Sequence, residues 1–192
     1  MKKILILLIA LVSISAATPL LTAQDSDKQK AELAVGYTYL HTNAPPGGCG
    51  CFSMNGADAE LGYSFTKHWT GVLDFGWDYN GNVNSSGADL LLTNALAGVR
   101  YRVITKSRWK PFAKIEAGNS NAQGGLSPAK LGIGHANVFA VTAGGGFDLP
   151  LSRQFAWRVA DVDYLATLFN NAGNNHQNNL RVSTGIVVRF GK

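Results

Sequence analysis

From Ala31 onward, polar and apolar residues alternate with a period of two, the mark of strands whose two faces meet different surroundings. The last segment is the clearest. Leu180, Val182, Thr184, Ile186, Val188 and Phe190 share one face, and Arg181, Ser183, Gly185, Val187 and Arg189 share the other. The same rhythm predicts strands over about 31–41, 56–65, 69–79, 91–103, 111–118, 137–149 and 154–167, which makes eight. The seventh resists strict alternation. Counting from Phe155, Trp157 and Val159, it would turn Asp161 and Asp163 to the apolar side. A β-bulge near Ala160–Val162 would reverse the phase, bringing Arg158 and Asp163 to one face and Tyr164 to the other.

The predicted connections alternate in length. Thr66–His68, Thr105–Arg108 and Pro150–Arg153 are short; Thr42–Ser53, Asn80–Ala88, Asn119–His135 and Leu168–His176 are long and polar. Short turns at one end and long loops at the other are how outer-membrane barrels are built. The expected fold is therefore all-β: an eight-stranded antiparallel up-and-down transmembrane barrel. Its short turns would be periplasmic and its long loops extracellular.

Alternation alone does not say which face is inside. A soluble lipocalin-like barrel hides its apolar face, whereas a membrane barrel exposes it to lipid. Residue type favours the second. Glycines and charges share one face, as in Gly56-Asp58-Glu60-Gly62, Asp74-Gly76-Asp78 and Gly98-Arg100-Arg102. Small residues beside long charged ones suit the narrow interior of an eight-stranded barrel better than a soluble surface. An interior charge network is expected from Asp58, Glu60, Asp74, Arg100, Lys114, Glu116, Arg158, Asp163, Arg181 and Arg189. Interfacial aromatics are expected near the short turns at Tyr63, Phe65, Trp69, Tyr101, Phe147, Phe155, Trp157 and Phe190. Near the long loops they are Tyr37, Tyr39, Trp77 and Tyr79.

The N-terminus changes the picture once. Met1-Lys2-Lys3, the apolar stretch Ile4–Ile14 and small residues at Ala17 and Ala23 read as a secretory signal peptide over residues 1–23, cleaved after Ala23 or Ala17. A polar lead over 24–30 and a barrel over 31–192 follow. The 192 residues are 46% hydrophobic and only 15% charged, a balance that argues against disorder. The formal charge is +5, but without Lys2 and Lys3 the 15 remaining basic residues exceed the 12 acidic ones by three. No basic run interleaved with aromatics accompanies that excess, so nucleic acid is not an expected partner.

Three stretches resemble the OmpA-like and opacity-protein group of small outer-membrane barrels, in a barrel-only form of the acidobacterial type. They are PFAKIEAG at Pro111–Gly118, AVTAGGGFDLPLSRQFAWRVADVDYL at Ala140–Leu165 and NNLRVSTGIVVRF at Asn178–Phe190. The resemblance implies outer-membrane lipid as surroundings and the barrel-assembly machinery as a partner during biogenesis, with Phe190 as its near-terminal aromatic. Gly191 and Lys192 follow that aromatic, a departure from the pattern.

Chemistry is sparse. Cys49-Gly50-Cys51 in the first long loop could close a tight disulfide. With His41 these thiols could also hold a metal, but no metal or cofactor is assigned. His41, His68, His135 and His176 are scattered, and no G-x-S-x-G accompanies them, so no catalytic residue is assigned. The expected protein is a non-enzymatic barrel of the Gram-negative outer membrane with a structural or surface-interaction role and an extracellular partner. A small or gated pore, a lipid-modifying enzyme and a soluble lipocalin-like binder are the alternatives.

Overall fold

The computed structural model describes residues 30–43, 51–85, 87, 89–124, 134–169 and 176–191. The expected signal peptide, most of the polar lead and Cys49 lie outside these residues. Eight strands follow in chain order: β1 (Ala31–Asn43), β2 (Cys51–Ser64), β3 (Trp69–Asn80), β4 (Leu90–Arg102), β5 (Lys110–Gly124), β6 (Gly134–Pro150), β7 (Phe155–Thr167) and β8 (Gln177–Phe190). Each pairs antiparallel with the next, and β1 pairs with β8 from Ala31↔Phe190 to Thr42↔Asn179. The sheet is a closed barrel. Closure removes every free strand edge, the condition for crossing hydrocarbon with strands.

The short turns fall at 65–68, 103–109 and 151–154. The strands run further towards the long loops than their alternation signalled. β5 continues past Gly118 to Gly124 and β6 starts at Gly134, so the third loop is shorter than expected. The reason is cross-strand pairing: Asn119, Asn121 and Gln123 face Phe139, Asn137 and His135 in continuous register. β2 likewise starts at Cys51, paired with Asn43.

The side chains sort by face. On β1, Glu32, Ala34, Thr38 and Leu40 are buried, while Val35, Tyr37 and Tyr39 are 41–53% exposed. Around the wall, Leu61, Leu73, Val99, Ile115, Val162 and Ile186 are exposed as well. The barrel is therefore inside out, with its apolar belt facing outward and its charges inward.

The bulge of β7 lies slightly earlier than Ala160–Val162. Register shifts between Arg158 and Asp161 against β8, and Asp148 and Phe147 of β6 face Arg158 and Ala160, passing over Val159. The extra residue reverses the phase so that Arg158, Asp161 and Asp163 are all buried and Val162 and Tyr164 exposed. Without it, two carboxylates would face lipid, each at a cost of roughly a few kcal/mol.

Glycines make room inside. A Cβ on Gly36 would lie 2.7 Å from Asp58 Oδ1, and one on Gly144 would lie 2.2 Å from Asp163 Oδ1. The small residues on the inward face are the space that the charged side chains occupy.

Candidate functional site

The lower half of the interior, towards the short turns, is an ion-pair lattice supplied by all eight strands. At its foot Glu32 binds Arg100 and Arg102. Asp148 accepts from Arg158 Nε at 3.1 Å. Arg189 lies 3.7 Å from both Glu32 and Asp148. Above them, Glu60 binds Arg100 and accepts from Arg158 Nη1 at 2.8 Å. Both guanidiniums also lie over the Phe112 ring, their carbons 5.4 and 4.7 Å from its centroid. At the centre the Lys114 ammonium meets Asp161 at 2.7 Å, Asp163 at 3.1 Å, Glu60 at 3.7 Å and Asp74 at 3.8 Å. Arg181 closes the lattice on Asp74 at 2.5 Å and Asp163 at 2.8 Å.

All ten residues expected in the charge network thus point inward. Asp58 and Glu116 do so without an ion pair among the described residues, and both Glu116 oxygens lack a hydrogen-bond partner there. Glu32 and Asp161 were missing from the expected set; Arg102, Asp148 and Asp78, whose alternation already put them on the charged face, join it too, Asp78 accepting from Thr38 Oγ1 at 2.5 Å. Glu32 was recoverable by carrying the parity of Leu33 and Val35 back one residue. Asp161 was not, because its face depends on where the bulge falls. The interior holds nine carboxylates (Glu32, Asp58, Glu60, Asp74, Asp78, Glu116, Asp148, Asp161, Asp163) against six cations, an excess of three.

Glu60, Asp74 and Glu116 bring carboxylate oxygens within 4.8 Å of one another, a spacing a metal ion could bridge. The Lys114 ammonium already lies within 4 Å of the first two and supplies the positive charge there.

The upper half is filled differently. Leu40, Met54, Leu90, Leu92, Leu96, Ala122, Ala140 and Leu165 form one buried apolar cluster, with Phe52 and Phe169 against it. Gln177 caps it from above, donating to the Phe169 carbonyl and accepting from the Phe169 N–H. Small and charged inward residues had been expected throughout; this apolar stopper had not. Leu92 and Leu96 carried the only hint, being large and apolar on the inward face of β4.

The twelve expected interfacial aromatics all lie on the outer surface. At the turn end, Trp69 stands edge-on to Tyr101 at 5.0 Å and Trp109 to Phe147 at 6.4 Å. Trp157 Nε1 donates to Thr184 Oγ1 at 3.1 Å. At the loop end, the Tyr37 and Tyr164 hydroxyls donate to the side-chain oxygens of Asn55 and Asn178. Phenol tips that leave hydrocarbon for polar partners mark where the headgroups begin. Beyond them, Asn119, Asn121, Gln123, His135 and Asn137 form an uncharged polar ladder on the outer face of β5 and β6.

His41 and His68 lie at opposite ends of the barrel. His68 stacks on Tyr101 at the turn end, 5.4 Å between centroids, with Nδ1 3.1 Å from the Arg102 carbonyl oxygen. His41 Nδ1 is 3.1 Å from Ser53 Oγ, but that hydroxyl also bonds Tyr39 at 2.6 Å. Among the described residues no carboxylate bonds His41 to orient it as a base. Cys51 is exposed at the start of β2.

An eight-stranded closed barrel with an apolar outer belt, an aromatic girdle at each end and its charges sealed inside defines an integral membrane barrel of the outer-membrane type. The chain belongs to the outer membrane protein beta-barrel domain family, whose model matches residues 4–190, and its place is the outer membrane. Solved structures agree on the fold. Neisserial surface protein A is 15% identical with a TM-score of 0.66, covering 83% of this chain and 97% of its own. Ail, the attachment invasion locus protein of Yersinia pestis, is 15% identical with a TM-score of 0.59, covering 84% and 98%. The outer membrane protein OprG of Pseudomonas aeruginosa is 13% identical with a TM-score of 0.58, covering 86% and 100%. No curated protein sequence matches the chain significantly.

Proposed function

We propose that the protein is a closed, non-catalytic barrel that braces the envelope and presents its long loops and polar outer rim to a surface partner. The observation that carries this reading is the double filling of the interior: an apolar stopper lies above an ion-pair lattice. Two plugs of opposite chemistry fill the lumen among the described residues, which supports a closed barrel over a pore or a catalytic cleft. The exposed Asn, Gln and His ladder of β5 and β6 rises above the girdle, where a partner outside the cell would meet it. A structural neighbour named for attachment and invasion supports a surface-interaction role by likeness.

The test is single-channel recording on the refolded barrel in planar bilayers, paired with binding of display cells to host surfaces. The expected result is no conductance above baseline, and adhesion that falls when the loops are shortened. Stable conductance steps from the wild type would favour the pore instead.

A further inference from the structure

Outside the barrel, charge is divided by end. The three short turns and their flanks carry Lys67, Lys106, Arg108, Lys110 and Arg153 and no carboxylate. Nine of the ten described carboxylates face the interior; the tenth, Asp89, lies at the opposite end, just before β4. At that opposite end the described residues include no exposed Lys or Arg. Lys67, Lys106, Arg108 and Arg153 are all exposed. Lys110 is folded back, its ammonium on the Thr105 and Ser107 carbonyls at 2.9 and 3.0 Å, which shapes the second turn.

These cations do not stand on a polar surface. Phe65 is 65% exposed, Leu151 61% and Ile104 58%, and Trp69 and Trp109 adjoin the same turns. The apolar groups continue the lipid-facing wall, so each turn sits where acyl chain gives way to headgroup. A soluble partner would find this ring half submerged; a headgroup would find cation and apolar side chain at the two depths it needs.

The geometry points to a basic collar at the periplasmic rim that selects anionic phospholipids of the inner leaflet. The four exposed cations of the turns, and Lys30 just before β1, stand at this rim, with aromatic neighbours holding it at headgroup depth. Near an anionic surface each Lys or Arg strengthens association about fivefold, and salt screens the effect. Engaging one or two cations per bound lipid is enough for a measurable preference.

The test uses the full barrel in vesicles and reads tryptophan quenching by brominated lipids. Trp69, Trp109 and Trp157 report the turn end and Trp77 the loop end. In a Trp77→Phe variant, brominated phosphatidylglycerol should compete into the annulus about fivefold better than brominated phosphatidylcholine. The preference should fall towards one when Lys30, Lys67, Lys106, Arg108 and Arg153 are all changed to Gln, and in 1 M salt without any mutation. A Lys67→Gln/Arg108→Gln variant should fall between, and a heat-modifiable gel band shows that each variant is folded. Equal competition by the two lipids in the parent would overturn the proposal, as would a preference that survives the combined change. A preference seen only from Trp77, with the other three tryptophans replaced by Phe, would also overturn it. So would salt-sensitive capture of soluble polyglutamate without any lipid preference, because the collar would then serve a periplasmic partner.

Discussion

Lys114→Met is the most informative single change in the lattice. The ammonium meets four carboxylates, but they do not depend on it equally. Asp163 and Asp74 keep Arg181 at 2.8 and 2.5 Å, and Glu60 keeps Arg158 at 2.8 Å. Asp161 keeps only Arg158, at 3.7 Å. The substitution therefore leaves one fully buried carboxylate with a single distant cation and raises the excess of carboxyl groups over cations from three to four. Breaking a buried pair from one side costs about 3–5 kcal/mol. A unit charge pair at 4 Å and an effective dielectric of 20 is worth ~4 kcal/mol, in the same range. With a urea slope of roughly 2 kcal/mol per molar, the unfolding midpoint should drop by about 2 M. The assay is urea titration in phospholipid vesicles, followed by loss of the heat-modifiable band and by tryptophan emission. Adding Asp161→Leu removes that carboxylate and should recover most of the loss. A single variant within about 1 kcal/mol of wild type, or a double variant no better than the single, would refute the lattice as a tightly coupled network.

Glu116→Gln should behave oppositely. It removes one carboxyl of the excess of three, at a site whose oxygens bond nothing among the described residues, so the same titration should show an unchanged or raised midpoint. Leu73→Arg places a cation on the lipid face midway along β3 and should cost roughly 2–4 kcal/mol, read as lower folding yield in vesicles than in detergent. Gly144→Val would drive a side chain into Asp163 and the Val162 carbonyl, and should lower the midpoint at least as far as Lys114→Met.

Most of the wall was legible in the sequence, because one face must be apolar to meet lipid and the other need not be, and period two records that choice at each residue. The aromatics at Trp69, Trp77 and Tyr101 were readable for the same reason. The site was read less completely. Asp161 depends on a single extra residue at Val159–Ala160, and its place could be bracketed only by the cost of a charge in lipid. The stopper was missed for two reasons: Leu165 stands between Tyr164 and Ala166, where both faces are apolar and amplitude vanishes, and Met54 stands before the stretch whose alternation signalled the second strand. The upper reaches of β5 and β6 were missed for the mirror reason: Asn119, Asn121 and Gln123 are polar on an outward face that has already left the membrane.

The lattice also bears on the order in which the wall can be completed. Arg181 and Arg189, two of its six cations, arrive only with β8, and β8 is the strand that closes the seam on β1. A sheet of seven strands would hold nine inward carboxylates against four cations, an excess of five rather than three. Such an unzipped intermediate repels itself along the very edge it must seal, and the final strand carries the countercharge that relieves it. Completion of the wall and neutralisation of its lumen are thus one event, so a chain lacking its last strand should fail to persist as a partial barrel.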